Sequence, residues 1–169
     1  ASNPGPKNNA QHLILASTNV SSLRTQLDTA LDLDADVTTL AESRLTEAGL
    51  RQTRQKLADD HEGYTLICGA PMTKRRFQDR VPPGGVAVLL KPGLRGRKVP
   101  LASKRANMFY DKGRLLHVAV TTGKTTLHFL VCYGFTNADR CPEQRAQNEQ
   151  LLEEVFEVAQ SLGNAPVFI

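Results

Sequence analysis

The sequence predicts an α/β fold in which mixed sheets pack face to face with helices outside. Three observations lead there. Strand-length apolar runs alternate with helical repeats through the first half. A hairpin with two apolar faces occupies the middle, which implies a sheet covered on both sides. A helical stretch followed by one more apolar run closes the chain. The 169 residues suffice for one domain with a core. With 40% hydrophobic and 22% charged residues, a disordered or fibrous chain is excluded.

Each element has its own warrant. Residues 1–11 are polar and turn-rich and read as a tail. "HLILA", His12 to Ala16, reads as a first strand running into the polar turn "STNVSS". Leu23, Leu27, Ala30 and Leu31 repeat at helical spacing, with Ser21 or Ser22 as the cap. Val37 to Ala41 is a second strand, and Thr46 caps a second helix holding Leu50 and Leu57. "GYTLICGA" and "GGVAVLLKPG" are the third and fourth strands. Two basic loops are expected, one with Lys74, Arg75, Arg76 and Arg80, the other with Arg95, Arg97 and Lys98.

"RLLHVAVTTGKTTLHFLVCY" reads as a hairpin turning at Gly123-Lys124. That turn puts Val118, Val120, Leu127, Phe129 and Val131 on one face, with Tyr133 at its end. His117, Ala119, His128 and Leu130 share the other face. Pro142 suits the first position of a helix whose inner stripe is Leu152, Val155, Phe156 and Ala159, ending at Gly163. "APVFI" is the last strand. The predicted order is β-α-β-α-β-β-β-β-α-β.

The net charge of +4 and isoelectric point near 9.1 favour a polyanionic partner such as nucleic acid. The basic loops could meet phosphates, although only Phe77 is interleaved for stacking. Cys68, Cys132 and Cys141 form no metal-ligand or disulfide pattern, and the two that lie in apolar runs suit core thiols in an intracellular, reducing compartment. No apolar run approaches the roughly 20 residues of a membrane span. "TTGKTT" fails as a phosphate loop, because the position needing glycine is Val118 and the hairpin leaves no helix N-terminus. His117 and His128 are diagonal neighbours without a third ligand in sequence, which favours buried histidines over a metal site.

Polar residues at strand ends carry the chemistry. Asn19, Glu42 and Tyr133 each fall at the end of a predicted strand, where α/β sheets gather ligands. A carboxylate there can hold a hard cation, an amide can orient it, and a phenol can reach a phosphate oxygen.

These stretches resemble the endonuclease/exonuclease/phosphatase superfamily, and within it the apurinic-endonuclease-like domains of LINE-type retrotransposons. "LILASTNVSSL" resembles the family's first strand with its asparagine, Asn19. "ADVTTLAESRL" resembles the strand with the metal-binding glutamate, Glu42. "GYTLICGA" followed by "GGVAVLL" is similar to the next strand pair, and "LHFLVCYGFTNA" to the strand carrying the active-site tyrosine, Tyr133. The resemblance covers the chain from His12 onward. It implies the N-terminal part of a four-layer α/β sandwich over residues 12–169. It also implies Mg²⁺-dependent phosphodiester hydrolysis on nucleic acid, with Glu42 holding the metal, Asn19 orienting the site and Tyr133 contacting the scissile phosphate.

Thr18, Ala41 and Phe135 stand where the family usually has an aromatic residue, a glutamine and a proline. "APVFI" corresponds to the segment before the family's Gly-Asp-x-Asn motif, so the remaining catalytic residues are expected to be missing. The expectation is therefore a truncated domain, inactive alone, whose core needs a protein partner or the missing C-terminal half. Two alternatives stand beside it. One is a non-catalytic structural or interaction subunit of a larger assembly, the other a nucleic-acid-binding module without catalysis.

Overall fold

A computed structural model describes residues 12–73 and 83–169. The polar tail and the basic loop from Lys74 to Arg80 lie outside these residues. Eight strands and four helices follow one another among the described residues. They are β1 (Leu15–Asn19), α1 (Leu23–Leu31), β2 (Val37–Ala41), α2 (Glu47–Asp60), β3 (Thr65–Cys68) and β4 (Val86–Leu90). Then come β5 (Arg95–Lys98), α3 (Lys104–Asp111), β6 (Leu115–Thr122), β7 (Thr125–Cys132), α4 (Pro142–Ser161) and β8 (Val167–Phe168).

Two four-stranded mixed sheets result, ordered β1-β2-β4-β3 and β5-β6-β7-β8. Their inner faces meet through Val37, Val86, Val88 and Leu90 on one side and Leu116, Val118, Val120 and Phe129 on the other. Burying a side chain such as Phe129 contributes about 2–3 kcal/mol. α1 and α2 cover the outer face of the first sheet through Leu23, Leu27, Leu50 and Leu57. α3 and α4 cover the second through Ala106, Phe109, Leu151 and Val155. The predicted layering is present: helices, sheet, sheet, helices. β3 and β5 touch at one flank. β1 and β8 end the sheets at the other, where Leu15, Phe168 and Ile169 are exposed.

The hairpin has the predicted turn, with Thr122 opposite Thr125 and Gly123 at φ +58°. Its two faces divide as expected, since Val118 and Phe129 enter the inter-sheet core and Leu130 the helix-covered one. Thr46 caps α2, its hydroxyl accepting from the Gly49 amide at 3.2 Å.

Several expectations are corrected. The first strand is Leu15–Asn19, not His12 to Ala16, because parallel pairing with β2 runs from Leu15–Val37 to Asn19–Ala41. The supposed turn "STN" is thus its second half. Ser22 stands at the α1 N-cap, but its side chain makes no capping bond. Arg95 to Lys98 form an edge strand rather than a loop, with inward Gly96 leaving room for Leu90 and Ile67. Helix α3 was not predicted, although Ser103 caps it by accepting from the Ala106 amide at 2.8 Å.

On α4 the expected inner stripe holds at Val155 and at Ala159, which packs against the core, and fails at Leu152 and Phe156. Leu151, Glu154 and Val155 are buried, while Leu152 and Phe156 are exposed. The cause is polar: Glu154 accepts from Ser103 and Arg105 of the α3 region, and this pair sets the helix rotation.

His117 Nε2 and His128 Nδ1 lie 2.9 Å apart beneath the helix layer. Burial, the neighbouring His128 and Arg97 push the His117 pKa down to about 4. The unfolded chain therefore takes up a proton near 6.5 that the folded chain refuses until about 4. Stability is full above pH 6.5 and is lost as pH falls towards 4, by on the order of 3 kcal/mol. Urea midpoints measured across this interval should fall more steeply for the native chain than for His117→Gln.

Candidate active site

The site lies where β1, β2 and β7 end together. β1 and β2 run parallel, so Asn19 sits beside Ala41 and its side chain reaches the residue after it, Glu42. Tyr133 follows β7, and its amide extends the ladder by donating to Arg114 O at 3.0 Å. β2 and β7 face each other across the sandwich. The side chains of Asn19 and Tyr133 lie close enough to Glu42 to help hold its carboxyl below the ordinary range. All three predicted site residues thus converge on one acidic group.

A bend after β2 aims that group. Glu42 and Arg44 adopt φ of +57° and +49°, left-handed values uncommon for such side chains. Hydrogen bonds hold the bend. Ser43 N donates to Gly85 O and Arg44 N to Gly84 O, both at 3.0 Å, while Ser43 O accepts from Leu23 N at 2.9 Å. Gly85 is required at this contact, because a Cβ there would lie 2.5 Å from Ser43 Oγ.

Glu42 is 8% exposed. Burial pushes its pKa up, but hydrogen bonds from Arg44, Asn19 and Tyr133 outweigh it and hold the carboxyl below its ordinary range. The group is a carboxylate at neutral pH. Tyr133 moves the opposite way: burial and the Glu42 charge push its phenol up, so it stays protonated as a donor. Asn19 Oδ1 accepts from Ser21 N at 3.0 Å, which fixes the orientation of its side chain.

Two arginines complete the site, and sequence reading assigned neither a role. Arg44 forms an ion pair with Glu42. Arg114, immediately before β6, is buried and donates to Gly134 O at 2.7 Å and Pro83 O at 2.9 Å. Its guanidinium stacks 5.0 Å from the Tyr133 ring centroid and 4.5 Å from that of Phe135. Arg114 therefore fixes the chain around Tyr133.

Solved structures share this architecture. The catalytic domain of Xenopus laevis APE2 matches at TM-score 0.55 and 16% identity, over 83% of this chain and 51% of that one. The Neisseria 3′ phosphatase NExo, bound to product DNA hairpin, matches at 0.58 and 15%, over 91% and 54%. The endonuclease domain of TRAS1, a telomere-specific non-LTR retrotransposon, matches at 0.50 and 12%, over 92% and 56%.

The chain shares the fold of these solved structures.

Neither a family model nor a curated protein matches the sequence itself. The chain spans a little over half the length of these solved structures. Among the described residues, Glu42 is the carboxylate that lies beside both Asn19 and Tyr133. Among the described residues no group of three or more His, Cys, Asp or Glu gathers. The spacing "ESR" was the available signal for Arg44. Arg114 had none, because its partners are backbone carbonyls from two distant loops.

Proposed function

We propose that residues 12–169 form the N-terminal part of a Mg²⁺-dependent phosphodiesterase domain of the nuclease type that acts on nucleic acid. The observation that supports this most is the convergence of an ionised carboxylate, an amide and a protonated phenol at the strand tips of a nuclease-like fold. The donor chemistry fits a hard cation, because the charged ligand is an oxygen and burial sharpens its field. It supplies one carboxylate only, so further ligands must come from outside the described residues.

In this reading Glu42 holds Mg²⁺ and Asn19 fixes the carboxylate's orientation. Tyr133 donates to a non-bridging phosphate oxygen, and Arg114 keeps its ring in place. The cation, when bound, supplies charge stabilisation to the phosphate as it gains electron density. The remainder of the sandwich would cover the flank where β1 and β8 end and bring the groups that activate water. No helix among the described residues is long and apolar enough to cross a membrane.

A second reading, a non-catalytic interaction subunit, draws support from the exposed Leu15, Phe168 and Ile169 at that flank. Cleavage of duplex DNA and of RNA with Mg²⁺ separates the two. Residues 1–169 alone should give no turnover, whereas a polypeptide supplying the rest of the sandwich should cleave. Turnover by residues 1–169 that Glu42→Ala abolishes would overturn the need for a second half. A completed sandwich that cleaves neither polymer would favour the interaction subunit.

A further inference from the structure

We infer that β5 and the cleft between its end and α3 form a second binding site, which takes a single-stranded nucleic acid with its phosphates along β5 and one base in the cleft. The site lies on the flank where β3 and β5 touch, opposite the flank where β1 and β8 end. It is built from described residues alone and does not involve Glu42.

Arg95, Arg97 and Lys98 supply the charge. All three are exposed, and among the described residues no carboxylate lies within ion-pair distance of any of them. Lys56, Lys91 and Arg105, by contrast, each hold an acidic partner. Alternation along the edge strand splits the cations between its two sides. Arg97 sits beside Ala119 on the helix-covered side near His117, and Lys98 beside Val118 on the side of the inter-sheet core. A chain lying along the free edge therefore meets positive charge from both sides. Arg95 and Arg97 stand about 6.6 Å apart along the strand, close to the phosphate repeat of an extended single strand.

The cleft supplies the base site. It measures about 230 Å³, room for one base, and is lined by Lys98, Pro100, Leu101, Asn107, Tyr110 and Leu116. Proline, leucine and tyrosine walls suit an uncharged planar ring. The Asn107 amide nitrogen donates to Leu101 O and Ser103 O, both at 2.8 Å, which leaves Oδ1 as the acceptor for a base N–H. Lys98 Nζ donates to Tyr110 OH at 3.0 Å, so its ammonium is held at the cleft with two N–H groups left for a phosphate. An acidic peptide would answer the cations but has no uncharged ring for the cleft. That difference decides for nucleic acid.

The test titrates residues 1–169 with a fluorescein-labelled deoxyadenosine oligomer of about ten nucleotides, over a range of salt. Arg95→Gln, Arg97→Gln and Lys98→Gln should each make the slope of log affinity against log salt shallower by about 0.7. An abasic oligomer of equal length should bind at least about fivefold more weakly than the deoxyadenosine one. Poly-glutamate of equal charge should bind no better than the abasic oligomer. In the native chain the deoxyadenosine oligomer should shift the Asn107 side-chain amide and Tyr110 ring resonances, a readout that needs no variant. No binding at low salt, or an unchanged slope in the triple variant at equal fold content by circular dichroism, overturns the phosphate path along β5. Equal affinity for the abasic oligomer, or unmoved Asn107 and Tyr110 resonances, overturns the base site. Poly-glutamate binding as tightly as the deoxyadenosine oligomer overturns the choice of nucleic acid and gives the face to an acidic peptide.

Discussion

Glu42→Gln in a completed sandwich should lower Mg²⁺-dependent phosphodiester cleavage by about a hundredfold or more. The substitution preserves shape and the bend at φ +57° but removes the charge. Glu42 is ionised because three donors surround it, so the lost quantity is a full carboxylate in a low-dielectric setting. The loss should fall on kcat, since charge builds at phosphorus in the transition state more than in the bound substrate. Asn19→Ala should cost less, because it loosens the carboxylate without discharging it. Steady-state kinetics on the two variants, at equal fold content by circular dichroism, checks the ranking.

Gly85→Ala should be the most damaging single-methyl change in the described structure. Gly85 has φ +86°, and a Cβ would lie 2.5 Å from Ser43 Oγ and 3.0 Å from Arg44 N. Gly85 also donates to Gly113 O at 2.9 Å, so it joins the Glu42 bend to the entry of β6. Left-handed strain and the clash together should cost about 3 kcal/mol or more. For a chain of this size that lowers Tm by on the order of 6–12 °C. Gly93→Ala isolates the clash: Gly93 has φ +93°, but a Cβ there meets nothing within 4 Å. It should cost only about 1–2 kcal/mol, the conformational part alone. Equal losses at the two glycines would mean that the contact with Ser43 does not constrain the bend.

Alternation and turn chemistry made most of the fold legible. Gly123-Lys124 between two apolar runs set the hairpin register, and with it the faces that separate Phe129 from Leu130. Where polar pairing overrides periodicity, reading failed. On α4 Val155 is buried as expected, but Leu152 and Phe156 give way to Leu151 and Glu154, because Glu154 must face Ser103 and Arg105. β1 was misplaced for a related reason. Its pairing continues through Ser17 and Thr18, whose side chains need no core, while apolar Ile14 and Leu15 are left exposed. β5 was hidden because an edge strand tolerates Arg95 and Arg97 in solvent.

At the site, Asn19, Glu42 and Tyr133 were each readable as a polar residue at a strand tip. The convergence was not, since it depends on how two sheets face each other. The role of Arg44 was hidden by the left-handed backbone at Glu42 and Arg44, which apolar patterning does not encode.

Tyr133 reports on that convergence directly. The chain has three tyrosines and no tryptophan, so ultraviolet titration of tyrosinate is clean, and Tyr133→Phe assigns the signal. Tyr133 should titrate above the ordinary tyrosine range, and Glu42→Gln should bring it part of the way back. A Tyr133 titration indifferent to Glu42→Gln would mean that carboxylate and phenol do not share a site, and the functional reading would go with it.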